Sequence, residues 1–197
     1  MISTALRLAE RRSFQDLTID EIAGSAGLSR TAFYTHFHDK NELLLVAVEA
    51  VSEKLYEMSD RWWHGLGPPA ERVRRAIEGV VSVYAEQAGL MRIAAEVSTY
   101  DEEMRALWLG IAERFIEATA EHIRSEQDAG LIPGTLDPRA TAEALFWMAE
   151  RCCYTYLGRR ERSPDQVVEG LAPVWTAALY PGVIPAGRLS RRRYATS

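Results

Sequence analysis

Residues 18–43, TIDEIAGSAGLSRTAFYTHFHDKNEL, constrain this chain more than any other stretch, because three helix starts are written into them. Thr18 followed by Glu21 fits a capping box, in which the hydroxyl takes a first-turn N–H and the carboxylate returns to the cap's own N–H. Ile19, Ile22 and Ala23 give that helix an apolar side. Gly27 stands where the chain must turn, since glycine takes positive φ at no steric cost. Ser29 caps a second short helix, Arg30 to about His36, with Ala32, Phe33 and Phe37 facing inward. Its outer side is Arg30, Thr31, Tyr34, Thr35 and His36. Asp39 with Glu42 fits a second capping box and opens a long helix at Lys40. Two short helices, a tight turn and a third helix are the pattern of a helix-turn-helix.

The remainder is helical in period, with little β-branched alternation, and glycine and proline gather at 65–69, 130–138 and 181–187. Helices are expected over residues 2–13, 40–63, from Pro68-Pro69 onward, 90–97, 101–129, 138–157 and 164–180. The expected fold class is all-α, about nine helices, with an N-terminal three-helix head and a C-terminal helical bundle. The expected organisation is a head over 1–45, a body over 46–182 and a flexible basic tail over 183–197.

Charge limits the partners. The net charge of −5 includes four tail arginines (Arg188, Arg191, Arg192 and Arg193), so the remainder carries −9. That balance excludes non-specific coating of nucleic acid, which needs a basic surface, but not a small base-reading head on an acidic body. The head through Leu45 has five Lys/Arg against six Asp/Glu and begins on its first helix, so a shallow salt dependence and modest affinity are expected of DNA binding. No apolar run approaches the ~20 residues of a membrane helix, and Arg7, Glu10, Arg11 and Arg12 interrupt any signal-peptide pattern, so a cytoplasmic protein is expected. The two cysteines, Cys152 and Cys153, are adjacent and read as small buried hydrophobes rather than a disulfide framework. His36-x-His38 lacks a third ligand nearby, so no metal and no cofactor are expected. Nucleotide-binding, serine-hydrolase and zinc-protease motifs are absent, so no enzyme is expected.

The run Gly27-Leu28-Ser29-Arg30-Thr31-Ala32-Phe33-Tyr34-Thr35-His36-Phe37, with Lys40 and Glu42 after it, resembles the head of the TetR family of bacterial repressors. The resemblance covers roughly residues 4–48 and implies a homodimer with DNA-binding heads and ligand-responsive helical bodies. By helix position Arg30, Thr31 and Thr35 face bases, while by family position Ser29, Tyr34 and His36 meet phosphates. Lys40, at a helix start, suits a phosphate as well.

The body is rich in large side chains suited to a ligand cavity: Tyr84, Trp108, Phe115, Phe146, Met148, Tyr154 and Trp175. From Ala106 to Tyr180 it is similar to the mycobacterial ethionamide-resistance repressor subgroup, but two asparagines that anchor ligands there appear here as Phe146 and Ala149. The expected effector is a neutral, apolar small molecule, with Glu96, Glu150 and Arg151 as candidate polar groups. Ala144, Trp147, Arg151, Leu171, Val174 and Ala178 are the expected dimer contacts, because helices this apolar need partners on more than one side. The partners expected are thus double-stranded operator DNA, a second copy of the chain and the effector. The alternative is a helical ligand sensor or interaction protein that has lost DNA binding.

Overall fold

Most helices start where a side chain can take up their free N–H groups. In the computed structural model, which describes residues 1–9 and 13–183 apart from the side chains of 61–63, both halves of the Thr18–Glu21 box are made. Ser29 Oγ accepts from Ala32 N at 3.1 Å, and Asp39 Oδ1 accepts from Asn41 N and Glu42 N at 2.8 and 2.9 Å. Glu42 reaches one residue beyond a capping box and accepts from His38 N instead. Asp101, Asp137 and Ser163 cap three later helices. Each such cap is worth about 1 kcal/mol.

The chain forms nine α-helices among the described residues: α1 (Ile2–Ala9), α2 (Ile19–Ser25), α3 (Arg30–Tyr34), α4 (Lys40–Trp63), α5 (Pro69–Glu86), α6 (Ala88–Val97), α7 (Glu102–Asp128), α8 (Pro138–Cys152) and α9 (Pro164–Leu179). The all-α class is therefore as read from sequence, and α4 and α7 to α9 lie where their periodicity placed them. Two ends differ. The first helix is described only to Ala9, and a 3₁₀ turn, Phe14–Asp16, follows it under a Ser13 cap. The helix after Ser29 stops at Tyr34, and Thr35 Oγ1 donates to Ala32 O at 2.7 Å. Beyond Cys152, α8 widens into a π-helical turn, Cys153–Leu157. Of the expected tail, residues 184–197 lie outside the described residues.

Gly27 at φ +71° and Gly130 at φ +72° end α2 and α7. Nothing lies within 4 Å of a Cβ placed at either, so glycine is needed there for backbone conformation rather than for space.

In the head, Phe14, Leu17, Ile22 and Phe33 are buried together with Leu43 and Leu44 of α4 in one continuous core. The same α4 runs on into the body, where it packs against α5 and α7; α5 packs against α9, and α7 against α8. Three polar contacts tie head to body: Arg92 donates to Ala9 O at 3.0 Å, Ser13 Oγ to Glu96 Oε1, and Asn41 Nδ2 to Asp101 Oδ2 at 2.7 Å. Within the body, Arg72 of α5 and the Tyr180 hydroxyl both donate to the buried carboxylate of Glu126 on α7. No described helix is long and apolar enough to cross a membrane.

Candidate nucleic-acid interface and ligand cavity

Phe33 is fully buried and packs against Phe37 with ring centres 5.6 Å apart and planes tilted by 50°, which anchors the inner side of α3. Ser29, Arg30, Thr31, Tyr34, Thr35 and His36 are all exposed on the outer side, as their spacing requires. Arg30 is held before any ligand arrives: it donates to Asp20 Oδ2 at 2.7 Å and to the Tyr34 hydroxyl at 3.2 Å, with its guanidinium 5.5 Å from the Tyr34 ring centre. The bond to Tyr34 and the pair with Asp20 raise its pKa further. A guanidinium extended in this way keeps donors of its fork free for a base edge or a phosphate.

Lys40 is a correction. Its ammonium donates to the carbonyls of Phe14, Gln15 and Leu17 at the end of the 3₁₀ turn, the first of which also accepts from Leu17 N. An ammonium has three donors and all three are committed, so none is left for a phosphate. Burial lowers its pKa against the opposing pull of Asp16, Asp39 and Glu21. Two N–H groups of the first α4 turn are also committed, to Asp39. Lys40 fixes the turn before α2 onto the start of α4 and is a structural clamp.

The body holds a cavity of about 120 Å³ between α4, α5, α6, α7, α8 and α9. Tyr84, Trp108, Phe115, Phe146 and Trp175 stand on its wall, as read from sequence. Met148 and Tyr154 do not, and the reason is helical phase. The α8 wall is Phe146, Ala149, Glu150 and Cys153, an i, i+3, i+4, i+7 stripe. Met148 lies on the far side of that stripe, and Tyr154, one residue past it in the π turn, stacks with Arg151 at 5.0 Å.

Leu171 is a second correction. It is 4 % exposed and lines the cavity, so its side chain faces the core of its own chain. Glu96 is a third: it is tied to Ser13, with Arg92 3.8 Å away, and is not on the cavity wall. Sequence reasoning missed Val48, Ser52, Leu55 and Ser59, the i, i+4, i+7, i+11 stripe of α4 that forms another wall. Ser52 and Ser59 donate to carbonyls of their own helix at 2.8 and 3.2 Å. The Tyr84 hydroxyl and Glu150 Oε2 have no hydrogen-bond partner. Burial pushes the Glu150 carboxyl and the Tyr84 phenol up from their ordinary values, and pushes the Cys153 thiol up to about 12, which makes it unreactive.

On the outside of α8 and α9, Ala144, Arg151 and Val174 are exposed and Trp147 and Ala178 are half-buried. Val174 alone is 48 % exposed beside a buried Leu171, so α9 has one face on the core and an apolar face outward.

Residues 1–47 match the model described as bacterial regulatory proteins, tetR family, and residues 73–181 match that described as transcriptional regulator EthR, C-terminal domain. The chain is 28 % identical to the HTH-type transcriptional regulator EthR of Mycolicibacterium smegmatis over 190 residues, 95 % of this chain and 87 % of the relative. Among solved structures, a putative TetR-family transcriptional regulator from Rhodococcus sp. superposes with a TM-score of 0.76 at 20 % identity, covering 90 % of this chain and 95 % of that one. SmeT, the repressor of the Stenotrophomonas maltophilia multidrug efflux pump SmeDEF, superposes with a TM-score of 0.75 at 19 % identity, covering 94 % and 92 %.

Proposed function

Because this chain belongs to the TetR family of bacterial regulators, with an EthR-type C-terminal domain, and is a transcriptional regulator, we propose that it represses as a homodimer on a palindromic operator until an apolar small molecule enters its body. Protein two-fold symmetry matches the symmetry of such an operator. The observation that carries the reading is the outer face of α3, polar, exposed and held on the buried ring of Phe33. Arg30, Thr31 and Thr35 read bases there, and Ser29, Tyr34 and His36 hold phosphates. The head is the segment 1–45 and the body 46–182. The effector site is the cavity between α4 and α9, lined by Tyr84, Trp108, Phe115, Phe146 and Trp175. The outward faces of α8 and α9, with Ala144, Trp147, Arg151, Val174 and Ala178, form the dimer contact. The protein acts in the cytoplasm, where its DNA is.

Fluorescence anisotropy with DNA flanking the protein's own gene tests this directly. Wild type binds saturably in the presence of unrelated competitor. Arg30→Ala weakens that binding about five- to hundredfold, with the melting temperature unchanged. Wild-type binding that competitor abolishes would replace the regulator by a sensor without an operator.

A further inference from the structure

Burying a carboxyl group is unfavourable unless a partner is supplied, and a carboxylate needs a cation or several donors. The Glu150 side chain is 8 % exposed and stands on the cavity wall, yet its Oε2 has no hydrogen-bond partner. Arg151 does not supply one. Its Nε is 3.8 Å away, outside hydrogen-bond range, and its side chain is 67 % exposed. The Tyr84 hydroxyl, on the α5 wall of the same cavity, is equally without a partner, and Tyr84 is 4 % exposed.

The rest of the wall says what kind of partner fits. No described lining residue is Lys, Arg or His. Trp108, Phe115, Phe146 and Trp175 present rings, and Phe115 and Phe146 lie 5.9 Å apart between centres. Ring faces attract organic cations, more strongly where water is excluded. A carboxylate and a hydroxyl oxygen both accept from an ammonium, and such charge-assisted bonds are the strong ones. The wall therefore carries aromatic rings and two oxygens without a hydrogen bond, and no lining residue hydrogen-bonds them with a cationic group.

We infer that the effector is an organic amine, with an apolar body and one ammonium group that pairs with the Glu150 carboxylate and the Tyr84 hydroxyl. The inference rests on the cavity being the effector site, and it replaces the neutral molecule expected from sequence. A neutral hydrocarbon would leave Oε2 without a hydrogen bond. An ammonium satisfies it and brings no further charge into the body, because the pair is neutral as a whole. The cavity as it stands takes about one aromatic ring, since a dry pocket of about 150 Å³ is known to hold benzene.

The test is calorimetric titration of the full chain with three probes of one shape: 2-phenylethylamine, 2-phenylethanol and ethylbenzene. Wild type is expected to bind the amine about tenfold or more tighter than either neutral probe. Glu150→Gln, which keeps the shape, is expected to abolish that preference, so that the amine binds no tighter than 2-phenylethanol. Tyr84→Phe is expected to weaken the amine about threefold, and it reads the same pair if Glu150→Gln melts at lower temperature. Neutral probes that bind wild type as tightly as the amine overturn the amine inference and leave the apolar-effector reading standing. An amine preference that survives in folded Glu150→Gln overturns the assignment to this carboxylate. Failure of all three probes to saturate overturns both readings.

Discussion

Glu126 and Glu150 are both buried glutamates of the body, and they stand in opposite circumstances. Glu126, on α7, accepts from the guanidinium of Arg72 and the hydroxyl of Tyr180, with His122 Nε2 3.5 Å away. Glu150, on α8, faces a cavity, its Oε2 without a hydrogen bond, near a Tyr84 hydroxyl that also has none. The residue types are the same, a glutamate and a tyrosine, but in one region a buried guanidinium hydrogen-bonds the carboxylate and in the other an exposed one stands 3.8 Å off without a hydrogen bond. Elements that are only to be held together have their polar groups closed from within. A wall that keeps a carboxyl open is shaped for something outside the chain. Lys40 belongs with the first case, since its three donors meet three carbonyls.

If that division is right, removing a cation from the closed region does the most damage. Arg72→Met should lower unfolding free energy by about 3–5 kcal/mol, because it leaves the Glu126 carboxylate buried without its cation; urea denaturation reads it. A loss near zero would mean that the two glutamates are not different in kind. Next comes Lys40→Met, which takes the donor from the Gln15 and Leu17 carbonyls and should destabilise the head by about 2 kcal/mol. Hydrogen exchange across residues 13–18 should rise with it, while the salt slope of DNA binding stays as in wild type. A slope reduced by about one would return Lys40 to the phosphates.

The smallest effect, and the one of opposite sign, belongs to Glu150→Gln. Burial raises the folded-state pKa of Glu150 above its ordinary value, so the folded protein holds this proton more tightly than the unfolded chain. Wild type therefore loses stability as pH rises through the window between the two values. Glutamine has no proton to lose. The variant should melt above wild type at about pH 7.5 and level with it at about pH 4. A variant that melts lower at both would show that Glu150 is satisfied in a way the open wall does not suggest.

The helices were legible in the sequence because their ends are local chemistry. Thr18 with Glu21 acts within one turn and caps the helix its position predicts, and Asp101, Asp137 and Ser163 with Gln166 cap α7, α8 and α9 in the same local way. The outer face of α3 was legible for the same reason, since one buried ring fixes the phase of a short helix. Lys40 was not, because its acceptors come from a 3₁₀ turn twenty-odd residues earlier that no periodicity announces. Leu171 was assigned to the wrong partner because α9 is apolar on two sides, and composition does not say which side meets its own core. The cavity walls were half legible. Aromatic residues mark themselves, but Ser52 and Ser59 look like surface positions until α5 and α7 close over them.

The cavity has a mechanical consequence. A cavity of about 120 Å³ corresponds to about 70 mL per mole, within the range of volume changes that accompany unfolding of whole proteins. Hydrostatic pressure works against loosely packed regions in proportion to the space they enclose. Squeezing should thus open this protein at its body before its head, and a molecule that fills the cavity should protect it against compression as well as against heat.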